Sequence, residues 1–187
     1  MSKDNLPGLY VHIPFCLSKC PYCDFYSETG TSMVSAWVDA LEQEMLLYKD
    51  SFQKFDTLYI GGGTPTVLAE AVLKNLFDHL HHHFQFTDDA EITVEANPGD
   101  VTGEKLTTLK ECGVNRISLG VQSFDEKDLS FLKRRHNAKE AVKALDLIGS
   151  HGFSSLGVDL IYGIPGQTLD GWLKTLERAV SFYPEHI

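Results

Sequence analysis

The sequence predicts an α/β protein whose parallel sheet is wound from repeated βα units, and three observations carry that reading. Short β-branched runs alternate with longer stretches of 3.6-residue periodicity. Each short run ends in residues unsuited to filling a core: Pro14-Phe15-Cys16, Gly61-Gly62-Gly63-Thr64-Pro65, Asn97-Pro98, Gln122-Ser123 and Gly163-Ile164-Pro165-Gly166. Chemistry in α/β barrels sits at that carboxyl edge. The chain of 187 residues, 43% hydrophobic and 22% charged, can also bury one sizeable core.

The candidate strands are residues 9–13 (LYVHI), 57–60 (TLYI), 91–95 (EITVE), 116–119 (RISL) and 156–161 (LGVDLI). Helical patterns span about residues 32–49, 69–84, 103–111, 138–150 and 169–182, with a shorter one near 126–133. On the first, Val34, Trp37, Val38, Leu41 and Met45 recur at helical spacing; on the second, Val72, Leu73, Leu76, Phe77 and Leu80 do so. Five βα units do not close an eight-stranded barrel, and Glu185-His186-Ile187 fall where a sixth strand is expected to begin. The expectation is therefore an incomplete barrel forming one domain over residues 1–187, with no internal linker or low-complexity segment.

The formal net charge is −10, from 26 acidic and 16 basic residues, and no basic stripe could follow a phosphate backbone. Nucleic acid is not an expected partner. No run approaches the roughly 20 apolar residues of a membrane span. The start, MSKDNLPGLYVHIP, lacks a charged segment followed by an apolar one, so a cytoplasmic location is expected. Four cysteines are too few for a disulfide scaffold, and three of them fall within eight residues, which suits a metal site better.

Cys16-x3-Cys20-x2-Cys23 follows the first strand and contains Pro21, so it is a loop. Three thiolates on a short loop can wrap one face of a cubic [4Fe–4S] cluster and leave its fourth iron open to a chelating small molecule. The same thiolates could hold zinc with His12 as a fourth ligand, and Cys20-x2-Cys23 could be a redox dithiol. Spacing alone leaves all three open.

The segments YVHIPFCLSKCPYCDF, GGGTPT, VEANP, RISLGVQSF and DLIYGIPGQT, in that order and each tied to a predicted strand, resemble the radical S-adenosylmethionine superfamily. More narrowly they resemble its HemN/HemW branch, which holds oxygen-independent coproporphyrinogen III dehydrogenases and heme chaperones. The resemblance covers essentially the whole chain. It implies a partial (β/α)6 TIM-like barrel of the radical SAM type, reaching only the start of strand six. It also implies that Cys16, Cys20 and Cys23 ligate a [4Fe–4S] cluster and that S-adenosylmethionine chelates the open iron. Reductive cleavage would then give methionine and a 5′-deoxyadenosyl radical, with electrons from a donor such as a flavodoxin or ferredoxin.

At the other matching positions the residue types make sense. Gly63 and Thr64 lie in a glycine run where absent Cβ atoms let backbone approach a ligand. Glu95 can accept bonds from ribose hydroxyls or an ammonium group, and Gln122 offers both donor and acceptor. Arg134 can pair with a carboxylate through its planar fork. Asp159 interrupts an apolar strand and requires a partner if buried. The resemblance assigns these six, with Tyr10 and Tyr22, to S-adenosylmethionine. Taken singly, Glu95 and Asp159 also fit structural ion pairs, Arg134 a solvated helix end, and the tyrosines aromatic packing.

Two features are discounted. His79-Leu80-His81-His82-His83 ends an amphipathic helix, where imidazoles meet the negative end of the dipole. Cys112 precedes Gly113 at a predicted helix end and reads as a small hydrophobe rather than a fourth ligand. The dehydrogenase pattern has a further cysteine two residues after the third ligand, where this chain has Phe25. That departure, with the immediate start of the first strand, favours the heme-chaperone side of the branch, which implies binding heme and passing it to acceptor proteins. The expected C-terminal domain with its HNxxYW-type heme motif is not in the chain, and His136-Asn137 does not match it. No residue is assigned a catalytic role, and a radical oxidoreductase acting on a porphyrinogen or another organic substrate is the alternative.

Overall fold

Val11 and Ile13 alternate with Tyr10 and His12 because the strand they form, β1 (Gly8–Ile13), has one apolar and one polar face. The same alternation recurs in β4 (Lys54–Gly62), β5 (Gln85–Ala96), β6 (Arg116–Gln122) and β7 (Ser155–Leu160). The computed structural model describes residues 6–52 and 54–187, so the expectation drawn from residues 1–5 lies outside them. These five strands form one wholly parallel sheet in the order β1-β4-β5-β6-β7.

One face carries Val11, Ile13, Leu58, Ile60, Val94, Ile117, Leu119 and Val158, all nearly excluded from water. It is covered by α1 (Val34–Tyr48), α2 (Glu70–His83), α3 (Gly103–Glu111) and α5 (Ala138–His151), each packed on the next. α6 (Leu169–Val180) follows β7. Sequential strand order with helices on one side is the arc of a TIM-like barrel. Along the other face the register aligns His12, Gly61, Glu95, Ser118 and Gly157 into a polar row, where a closed barrel would hold packed apolar layers.

The five predicted strands and six predicted helices are all present, α3 with the limits expected and the others with changed ones. β4 and β5 run further than expected, since Lys54, Phe55, Gln85 and Phe86 pair below the bulge near Asp56. Gly61 and Gly62 belong to β4 rather than to a turn after it. Two-residue strands β2 (Phe15–Cys16) and β3 (Glu28–Thr29), and 3₁₀ turns at Pro65–Val67 and Pro98–Asp100, carry too little pattern to be predicted. The stripe expected on α1 is only partly covered. Met45 is buried, while Val34, Trp37, Val38 and Leu41 are half-buried, because α1 flanks the edge strand and has one helical neighbour. Beside β7, Glu185 and His186 bond to Leu156 and Val158, and His186 makes a parallel bridge to Gly157. They occupy the position of a sixth strand.

His136, in the connection to α5, is 3% exposed and bonds through Nε2 to the Val121 carbonyl, while its Nδ1 is buried without a partner. Burial pushes its imidazole down to about 4 from the ordinary 6.5. Between those values the unfolded chain binds the proton and the folded one does not, so stability falls as pH drops through that window, by up to about 3 kcal/mol. Urea melts at pH 7 and pH 4.5 check this: His136→Gln is expected to reduce the difference, and an unchanged difference would remove His136 as its cause.

Candidate functional site

The cysteine loop is fastened at its base. Glu28 N donates to Pro14 O at 2.6 Å and Gly30 N to Cys16 O at 2.9 Å, pairing β2 with β3. His12 lies 3.0 Å through Nδ1 from the Tyr10 hydroxyl and 2.9 Å through Nε2 from the Tyr26 carbonyl. With Tyr10 donating to Nδ1, the Nε2–H donates to Tyr26 and closes the loop. Both ring nitrogens are thus engaged, and His12 is not available as a fourth ligand to zinc.

The residues after β1 and β4 are bound together in the same way. Gly63 N donates to Ile13 O at 2.7 Å and Thr64 N to Phe15 O at 2.8 Å. A Cβ on Gly63 would lie 2.6 Å from Phe15 O, and one on Gly62, whose φ is +111°, would lie 2.5 Å from the His12 ring. Both glycines are needed for chain packing as well as for any approach of a ligand.

Cys16, Cys20 and Cys23 line one pocket of 60 Å³, with Gly63, Thr64, Asn97, Arg134 and Arg135 on its walls. Three thiols around one pocket are a donor set that fits a cubic cluster. Cys16 Sγ is 3.5 Å from Thr64 Oγ1.

A cavity of 430 Å³ adjoins this pocket through Tyr22, Cys23, Gly63, Thr64, Asn97 and Arg134. Tyr59, Glu95, Ser118 and Asp159 reach it from four successive strands. Glu95 is fixed by both oxygens, accepting from the Tyr59 hydroxyl at 2.8 Å and from Gly62 N at 3.0 Å. Burial raises the proton affinity of both the Glu95 carboxyl and the Tyr59 phenol. Asp159 is not enclosed among the apolar residues of β7. Strand alternation turns it to the open polar face, where Ser118 Oγ donates to its carboxylate at 3.2 Å and crowding by the walls raises its proton affinity. Neither acid is in an ion pair among the described residues.

Arg134 is not a solvated helix end. Its Nη2 donates to Gly120 O at 2.7 Å, and its Nη1 to the Tyr22 hydroxyl at 3.0 Å and toward Cys20 Sγ at 3.6 Å. Its Nε is buried without a partner. Burial pushes the Tyr22 phenol up to about 12, so it stays neutral. Arg135 makes a bidentate pair with Asp100 at 3.1 and 2.6 Å, tying this connection to the turn after β5. Gln122 follows a register shift and has φ 68°, a left-handed backbone rare for a side-chain-bearing residue at a strand end.

Cys23, Tyr22, Gly63, Thr64, Glu95, Gln122, Arg134 and Asp159 therefore share one cavity, with Cys16 and Cys20 next door. Tyr10 does not line it; it lies nearer the start of β1, exposed, and stacks on Tyr59 with ring centroids 6.0 Å apart. Sequence reasoning placed Asn97 at a strand end without giving it a role, and missed Tyr59 and Ser118. Both of the latter were signalled by period two, since each sits an even number of residues from a polar strand-end position. A separate cavity of 670 Å³ runs along β1 and α1 past Trp37, Leu41, Met45 and Phe55 and includes none of the thiols. Two carboxylates and one guanidinium give the 430 Å³ cavity a net charge of −1 when ionised, complementary to a cationic ligand that also carries a carboxylate.

The model of the radical SAM superfamily matches residues 10–179. The heme chaperone HemW of Bacillus subtilis is 41% identical over 185 residues, covering 97% of this chain and 49% of its own length. That of Haemophilus influenzae is 39% identical over 188 residues, covering 96% and 49%. The structure of the Escherichia coli coproporphyrinogen III oxidase HemN, a radical SAM enzyme, superposes with a TM-score of 0.88 at 35% identity, over 95% of this chain and 42% of that one. The chain spans about half the length of the curated relatives it matches.

Proposed function

The chain belongs to the radical SAM superfamily, and from that premise we propose that it forms the cofactor-binding half of a heme chaperone of the HemW type. The observation that carries this is the pairing of the three-thiol pocket with a cavity of complementary charge, on a chain 39–41% identical to HemW proteins. Phe25, at the wall of that cavity, supports the chaperone over the dehydrogenase, whose pattern has cysteine there.

Cys16, Cys20 and Cys23 would hold a [4Fe–4S] cluster, leaving one iron for the amino and carboxylate groups of S-adenosylmethionine. When bound, the pair supplies an electron to a sulfonium bond. The chain's own residues bind, orient and exclude water. Arg134, with its unpartnered Nε, faces an anionic group; Glu95, held from two sides, receives hydroxyl or ammonium donors; Gln122 offers its amide at the strand end. Heme and its acceptor proteins are the cargo and partners of the whole protein. No helix among the described residues is long and apolar enough to cross a membrane.

Arg134→Lys keeps the charge and loses the planar fork, so S-adenosylmethionine is expected to bind about tenfold more weakly while iron content is retained. Equilibrium dialysis of the reconstituted protein checks it, and unchanged affinity would remove Arg134 from the site. Heme titration of the full-length protein decides the function. Stoichiometric heme binding is expected. Absence of binding, with oxidation of coproporphyrinogen III and substrate-dependent 5′-deoxyadenosine, would establish the radical enzyme instead.

A further inference from the structure

Arg134, Arg135 and His136 are consecutive, and their side chains reach three different parts of the site. The chain arrives there through α4 (Glu126–Phe131), closed by Arg134 N on Leu129 O at 2.9 Å with Lys133 at φ 51°. Arg134 ties Gly120 O to the Tyr22 hydroxyl, and Arg135 grips Asp100 in the turn after β5. His136 Nε2 lies 3.1 Å from Val121 O. A carbonyl only accepts, so the proton sits on Nε2 and the lone pair on Nδ1.

The Val121 carbonyl carries a second bond. Ser123 N donates to it at 2.9 Å, and Gln122 between them has φ 68°. A bond from a residue back to the one two before it, around a positive φ, is the rare and strained form of γ-turn. Such strain persists only where the surroundings over-determine it. Here Ile161 N donates to Gln122 O at 2.9 Å, the buried Ser123 Oγ donates to Asp128 at 2.8 Å, and His136 holds the carbonyl that closes the turn. The turn sets Gln122 on the cavity wall beside Arg134. A Cβ on Gly120 would lie 3.0 Å from Gln122 Nε2 and 3.4 Å from Arg134 Nη2.

Packing alone does not account for this histidine. Its Nδ1 is buried without a partner, which destabilises the fold, and the ring does not line the cavity. A phenylalanine would fill the space with no orphaned nitrogen. What the imidazole adds is the donor on Nε2.

We propose that His136 is a positioning residue for S-adenosylmethionine: its Nε2–H, on the Val121 carbonyl, holds the strained turn that presents Gln122 to the cavity. This inference rests on the cofactor reading of that cavity given above. The imidazole touches no ligand and acts through Gln122.

The test uses the full-length reconstituted protein and equilibrium dialysis with S-adenosylmethionine. His136→Phe keeps a ring and loses the donor, so affinity is expected to fall about tenfold while iron content is retained and Tm at pH 7 is unchanged or higher. A purely structural role predicts the reverse, a lower Tm with unchanged affinity. His136→Gln, whose amide still donates, is expected to bind within about threefold of wild type. Gln122→Ala is expected to lose about tenfold alone and no more when combined with His136→Phe, because the two act as one unit. His136→Leu repeats the measurement should the phenylalanine overfill the site. Wild-type affinity in both apolar variants overturns the proposal, as do equal losses in His136→Gln and His136→Phe or losses that multiply to about a hundredfold in the double variant. Loss of iron from both apolar variants makes His136 a folding residue and overturns it too. A wild-type protein that holds its cluster and binds no S-adenosylmethionine overturns instead the cofactor reading of the cavity.

Discussion

Anaerobic reconstitution with iron and sulfide is expected to give a brown protein from the unaltered chain and a colourless one from Cys16→Ala, Cys20→Ala or Cys23→Ala. Each thiolate would hold a different iron of one cluster, so losing any of them leaves two ligands on a loop held only at its base. Cys112→Ala should stay brown. That thiol sits at the end of α3 beside Lys74, Asp78 and Glu111, just before the chain enters β6, and burial raises its proton affinity. Four irons per chain in Cys20→Ala would contradict the ligand assignment.

Gly63→Ala is expected to be the most damaging single methyl group in the fold. Its Cβ would lie 2.6 Å from Phe15 O, 2.9 Å from Ile13 O and 2.9 Å from Phe15 N, all backbone atoms that cannot rotate away. Relief requires separating β4 from the chain that leads into Cys16, breaking the bonds from Gly63 N and Thr64 N. The cost is about 3 kcal/mol, or about 6–12 °C in Tm, with loss of cluster content as the loop shifts. Gly149→Ala is the control. Its Cβ meets nothing within 4 Å and it lies inside α5, so the substitution should be neutral or stabilising. Similar melts for the two variants would show that the Gly63 contact relaxes at little cost.

The curve of the barrel and the identity of most cavity residues were legible because they are written in short-range pattern. Period-two strands, period-3.6 helices and polar strand ends are local properties, and three cysteines within eight residues announce themselves. Even the imidazoles at the end of α2 obeyed the local rule, with His81, His82 and His83 in its last turn. What the sequence could not decide was which face each residue met and which groups came together across distance. Whether Asp159 faced the core or the open wall was not written in the strand, because alternation fixes that neighbours oppose each other but not which side the helices cover. Tyr59 gained its role only when register brought it 2.8 Å from Glu95. His12 suited zinc on paper; a carbonyl 14 residues away took its second nitrogen. Gly63 read as an opening for a ligand, and its missing Cβ first makes room for Phe15. Local pattern determined the elements and the chemistry available to them. Register and close packing, set by pairs of residues far apart in the chain, decided which of those groups would meet.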